Sequence, residues 1–199
     1  MGGRGSSSGL DMHEWKNPYG DEFTPMLGER DITFDDDEAI AVSNPNYKTQ
    51  QYRWTHNCQR CVYAYEMLRR GFNVEAKERE SRDDDYARYL WRHIMEGQKW
   101  DNVGSRSKDK TIRNMDAKAA EWGEGARGVV YIAWKGGRTA HVFNVERRGG
   151  QTIYVDAQTG KYVNIQDYVS RSMPTKMEMS RIDHLKPSKY TGDYVKRRN

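Results

Sequence analysis

The stretch Ala140-His-Val-Phe-Asn-Val-Glu-Arg-Arg-Gly-Gly-Gln-Thr-Ile-Tyr-Val-Asp156 reads as two β-strands joined by a tight turn. Val142, Phe143, Val145, Ile153, Tyr154 and Val155 are the β-branched and aromatic types that pack well on a pleated surface. Gly149-Gly150 is a two-residue hairpin signal, because both central positions of such a turn need positive φ. His141 opens the first strand and Asp156 closes the second. In an antiparallel hairpin the start of one strand lies beside the end of its partner, so imidazole and carboxylate become neighbours without long-range coincidence.

Outward from this hairpin, Gly128–Trp134 is a strongly apolar strand, and Met177–Ile182, beyond Pro174, fits a last one. The upstream half is helical in character. Cys58, Cys61, Val62, Tyr65 and Leu68 follow three-and-four spacing, which predicts a helix over Cys58–Arg70 with Asn57 at the N-cap and Gly71 as the stop. Phe72–Ala76 reads as a short strand. Asp83–Glu96 and Thr111–Trp122 read as two further helices, the first with Asp83, Asp84 and Asp85 at its positive end. Helices first and an antiparallel sheet after them is an α+β order.

The chain has 199 residues, 36% of them hydrophobic and 31% charged. That is a lean composition for a globular domain, offset by six Trp, thirteen Tyr and four Phe, which bury the most area per residue. Lys and Arg number 33 against 29 Asp and Glu, a balance that argues against nucleic-acid binding through a clustered basic face. No apolar run reaches membrane-spanning length, and residues 1–9 lack the apolar core of a secretory signal, so no membrane partner and a reducing cytoplasm are expected. Cys58 and Cys61 are too few for a disulfide scaffold. The expected organisation is a Gly/Ser-rich leader (1–20), a loose N-terminal arm (21–46) with Ile40 and Val42 packing on the main domain, a catalytic domain (47–187) and a solvated basic tail (188–199).

A cysteine nucleophile needs a stabilised thiolate, a base and a group that orients the base. Cys58 stands at a helix start, where unpaired amides and the dipole favour a thiolate, and His141 and Asp156 supply the other two parts. Gln50, Gln51 and Asn57 are candidates for oxyanion support, with Gln158 lining the site. Cys61 falls on the buried face and is the fallback nucleophile. Other readings compete. The Cys-x-x-Cys pair suits half a zinc site with His56, His93 or His141, or a redox motif, yet no second Cys-x-x-Cys or His-x-x-x-His completes it. Asp156 also suits the turn Asp156-Ala-Gln-Thr-Gly160 on its own account. Tyr52, Trp54 and Trp100 are candidate wall residues, the two tryptophans more commonly core.

Asn57–Glu66, followed by Arg69-Arg-Gly-Phe-Asn-Val74, resembles the opening motif of the papain-fold toxin domain of bacterial polymorphic toxins, described as glutamine deamidase-like. Ala140–Val145 resembles its histidine motif and Tyr154–Gly160 its acidic motif, and the likeness runs from about Tyr47 to Pro187. Trp100–Ser105 and Ala119–Gly123 are similar to copies tied to phage head-protein genes. The resemblance implies a papain-like cysteine hydrolase fold with Cys58 as nucleophile, His141 as base and acid, and Asp156 as the orienting residue. It implies no cofactor and no metal, a protein substrate with an accessible glutamine, and an immunity or antitoxin partner. A phage head component is a further expected partner. Deamidation, transglutamination and proteolysis share one acyl-enzyme, and an idle head-associated module is the alternative of another class.

Overall fold

Residues 34–80, 91–137 and 139–198 are described by this computed structural model. In chain order they form helices α1 (Asp36–Ser43), α2 (Tyr52–Thr55) and α3 (Cys58–Arg69), then strands β1 (Val74–Ala76) and β2 (Asp101–Asn102). Helix α4 (Lys108–Trp122) precedes strands β3 (Arg127–Trp134), β4 (Ala140–Arg148), β5 (Gln151–Asp156) and β6 (Lys161–Tyr162). Helix α5 (Ile165–Arg171), strand β7 (Ser172–Arg181), helix α6 (Thr191–Tyr194) and strand β8 (Val195–Arg197) complete it. The main sheet runs β2-β7-β3-β4-β5-β6 and every pairing in it is antiparallel. A separate two-stranded sheet pairs β1 with β8.

The alternation along β3 and β4 explains the layering. Val129 and Val142 face one side and join a core with Cys61, Val62, Tyr65 and Leu68 of α3. Val130, Ile132, Phe143 and Val145 face the other and join Ile112, Met115 and Ala119 of α4 and Val169 of α5. Two apolar faces demand two covering layers, so the sheet lies between helices. The expectation of N-terminal helices on one sheet holds for α1 and α3; α4 and α5 cover the opposite face. The Gly149-Gly150 turn forms as expected, with φ of 59° and 72°. Gly128 is required for packing: a Cβ there would lie 2.6 Å from the Trp122 ring and 2.5 Å from Ser180 O.

Three expectations are corrected. The arm before residue 47 includes a helix with a full capping box, in which Glu38 N–H donates to Asp35 Oδ1 at 2.8 Å and Asp35 N–H to Glu38 Oε2 at 3.0 Å. Arg148 clamps Asp36 through both carboxylate oxygens at 2.5 and 2.6 Å, and Ile40 is buried beneath. The tail, expected to be solvated, folds back: Tyr194 and Val195 are 2% exposed and β8 pairs with β1, while Lys196 and Arg197 stay outside. The helix expected over Asp83–Glu96 lies outside the described residues up to Leu90, and beyond that only a 3-10 turn, Trp91–His93, forms. The leader 1–20 also lies outside the described residues. Among the described residues no helix is long and apolar enough to cross a membrane.

Candidate active site

Helix α3 begins at Cys58, and its first turns are pinned to the sheet because Asn144 Nδ2 of β4 donates to Val62 O at 3.0 Å. Burial of Val62, Met67 and Leu68, each worth about 1.5–3 kcal/mol, holds the helix there. Its tip therefore meets the end of β4 at a fixed height. The β4–β5 ladder pairs Asn144 with Val155, and continuing that register sets Asp156 opposite Phe143. His141 is then the diagonal neighbour of Asp156 on the same face, within reach of a ring and a carboxylate.

That reach is used. His141 Nε2 and Asp156 Oδ2 lie 2.9 Å apart, with both residues buried. Burial disfavours the imidazolium, but the Asp156 charge and hydrogen bond, together with a hydrogen-bonding contact to the Cys58 thiol, push His141 up to about 10. With Nε2 taken by Asp156, Nδ1 is the ring nitrogen left to face the thiol. Asp156 is split between two tasks. Its Oδ1 accepts the Gln158 and Thr159 amides at 3.1 and 3.4 Å, which makes the turn; its Oδ2 accepts His141 and the Tyr168 hydroxyl at 2.7 Å. Burial raises the Asp156 carboxyl, yet His141 and Tyr168 carry it below its ordinary value. Turn and imidazole contact coexist because a carboxylate has lone pairs for both.

The other candidates separate. Asn57 occupies the N-cap position but makes no side-chain cap. Its amide joins a buried cluster instead: Asn57 Nδ2 donates to Lys77 O and Asn44 Oδ1, each at 3.2 Å, while Gln158 Nε2 donates to Asn57 Oδ1 at 3.3 Å. Asn44 Nδ2 in turn reaches Gln158 O at 3.0 Å and Trp54 O at 2.9 Å. Asn57 thus supports the site from behind, and Gln158 lines it. Gln51 is corrected: it is exposed at the start of α2 and does not line the cleft. Gln50 has turned to φ 55° and donates back to Tyr47 O at 3.0 Å. Cys61 is fully buried, and burial pushes its thiol well above the ordinary value. Among the described residues no group of three or more His, Cys, Asp or Glu is arranged to hold a metal ion.

Cys58, His141, Asp156 and Gln158 share one open cleft of about 1010 Å³. Tyr52 lines it, whereas Trp54 and Trp100 do not. Trp134 stacks on His141 with ring centroids 5.9 Å apart and planes 19° from parallel. Trp134, Tyr168 and Asn44 escaped sequence reasoning. Tyr168 sits on α5, which has no strong periodicity, and Asn44 precedes Pro45 in a turn-forming stretch; neither carries a local signal for a partner 12 or 114 residues away.

A helix whose tip abuts one end of an antiparallel sheet, with a thiol on the helix and a His–Asp pair on the sheet, defines a papain-like fold. Residues 56–161 match the family described as papain fold toxin 1, glutamine deamidase, and the chain belongs to that family. No curated protein and no solved structure matches the chain.

Proposed function

We propose that this chain is a papain-like cysteine amidohydrolase that converts protein glutamine to glutamate. One observation carries the reading: the segment matching the deamidase family contains Cys58, His141 and Asp156, and in it the 2.9 Å His–Asp pair and the helix-tip thiol open into the same cleft. His141 takes the Cys58 thiol proton as Sγ attacks the side-chain amide carbon, and the C–N bond breaks as His141 hands that proton to the departing nitrogen, releasing ammonia. His141 then takes a proton from water as the water oxygen attacks the thioester, and returns it to the departing sulfur, which frees glutamate and the thiol. Asp156 holds the imidazole in one orientation throughout, and Trp134 closes one face of the ring.

Charge on the amide oxygen needs donors fixed before the reaction. The Cys58 amide at the first turn of α3 is one. The second N–H of the Gln158 side chain is the other, since its first is spent on Asn57. Membership of a toxin family further supports a neutralising protein partner. The test is expression of wild type and Cys58→Ala in bacteria with proteome-wide mass spectrometry. Amide-to-acid mass gains at glutamine, seen with wild type alone, are expected. New chain termini instead mean proteolysis, and amine adducts mean transglutamination. Identical proteomes in both strains, with folded protein present, would sink the proposal.

A further inference from the structure

The charge of the cleft departs from that of the chain. Overall, basic and acidic residues nearly cancel at 33 to 29. Among the described residues lining the cleft, the basic ones are Arg79, Arg92, Arg171 and Lys176, and the only carboxylate is Asp156, which is 1% exposed and occupied by His141. Two of the arginines lie among several rings. Arg92 lies 4.7 Å from the Trp100 centroid and 5.1 Å from those of Trp91 and Tyr131; Arg171 lies 5.3 Å from Trp134 and 5.2 Å from Tyr168. Cation–π contact holds a guanidinium beside its rings while leaving N–H donors for an anion.

Each of these arginines already has a carboxylate partner, so the competition must be weighed. Arg171 pairs with Asp167 at 2.7 Å, but both side chains are 55% exposed, and solvent screens such a pair. Arg92 pairs with Glu178 at 2.5 Å with both side chains 30% exposed. Lys176 is exposed on β7, the strand that also carries Glu178. An incoming carboxylate can replace Asp167 at little cost, or share a guanidinium that has five donors. Both arginines line the same cleft as the thiol and the imidazole, in contact with ring clusters from opposite faces of β3.

Building on the deamidase reading, we propose that the cleft selects a glutamine set in an acidic segment of a protein, with carboxylates on either side met by Arg92 and by Arg171 with Lys176. The chemistry recognised is an extended peptide bearing Asp or Glu near the reactive glutamine; apolar or aromatic neighbours find the ring walls. Arginine and aromatic residues together are what anchor protein ligands in pockets elsewhere.

The test uses the intact Cys58→Ala chain as a binder, so that turnover does not interfere. Fluorescein-labelled peptides carry one glutamine flanked by Glu and Asp, by Ser, or by Lys. The acidic peptide is expected to bind roughly tenfold tighter than the serine peptide, with affinity falling as salt rises. Lys176→Glu combined with Arg171→Glu removes that preference, while Lys110→Glu on the far helix α4 leaves it intact. Equal binding of the three peptides overturns the proposal, as does tighter binding of an oligothymidylate than of the acidic peptide. Ammonia release by wild type separates the two readings. Equal release from acidic and serine peptides defeats acidic selection and leaves the deamidase intact. Acid-selective binding with no ammonia from any peptide supports the cleft's preference and counts against the deamidase.

Discussion

Helix α3 ends in two buried polar clusters of opposite construction. At its C-terminal end acidic and basic side chains are matched to one another. Glu66, 0% exposed, lies between Arg70 Nε at 2.6 Å and Arg127 Nε at 2.9 Å, and Glu146 takes Arg69 Nε at 2.9 Å and the Tyr65 hydroxyl at 2.8 Å. At its N-terminal end neutral amides of Asn44, Asn57 and Gln158 satisfy one another behind a single His–Asp pair. One side of that second cluster opens to solvent through Cys58. Burying an ion costs several kcal/mol, which is recovered only when every partner is present, so the charged end is a rigid and inert anchor. The other end stops short of closure, and the Cys58 sulfur faces the cleft.

The comparison breaks first at the thiol. Cys58→Ala should lower glutamine deamidation by about 10⁴-fold or more while the unfolding free energy moves by only about 1 kcal/mol, checked by ammonia release beside urea denaturation. Glu66→Ala should do the reverse. Two buried guanidinium groups lose their carboxylate, so stability should fall by about 3–5 kcal/mol with a thiol that labels normally in the remaining folded fraction. A milder loss than Lys176→Ala causes would show that the charged end is no anchor.

Solution pH sharpens the contrast further. His141 rises from its ordinary 6.5 to about 10 on folding, so the stability it lends is fully present below pH 6.5 and is lost as pH climbs through about 10. Asp156 is lowered from 3.8, so its share is present above that pH and lost as pH falls through the lower folded value. Denaturation midpoints across pH should therefore show a high-pH decline that His141→Ala removes. Tyr168→Phe is expected to have the smallest effect. It deletes one hydrogen bond to a charged oxygen, lowering kcat by roughly three- to tenfold with KM unchanged and moving the acid limb of the rate profile upward. An unchanged limb would mean that Tyr168 only packs.

Much of the scaffold was readable because its signals are local. Paired glycines at Gly149-Gly150 need positive φ wherever they occur, and β-branched runs on either side had to be strands, which brought His141 beside Asp156. The edges were less readable. Phe34, Tyr194 and Val195 are too few in each segment to announce burial, and they fold in only because α3 and β1 leave apolar surface for them. Gln51 looked suited to oxyanion support by its distance from Cys58 along the chain, yet the turn at Gln50 aims it outward.

Periodicity and turn chemistry were enough to specify the helices at Cys58 and Thr111, the central hairpin with its His141–Asp156 pairing, and the α+β class, since each depends on residues within a few positions of itself. Tertiary packing alone chose the task of Asn57, brought Tyr168 onto Asp156 and stacked Trp134 on His141. Those contacts join separate elements of the fold, and no short stretch encodes a partner that only the closed core supplies.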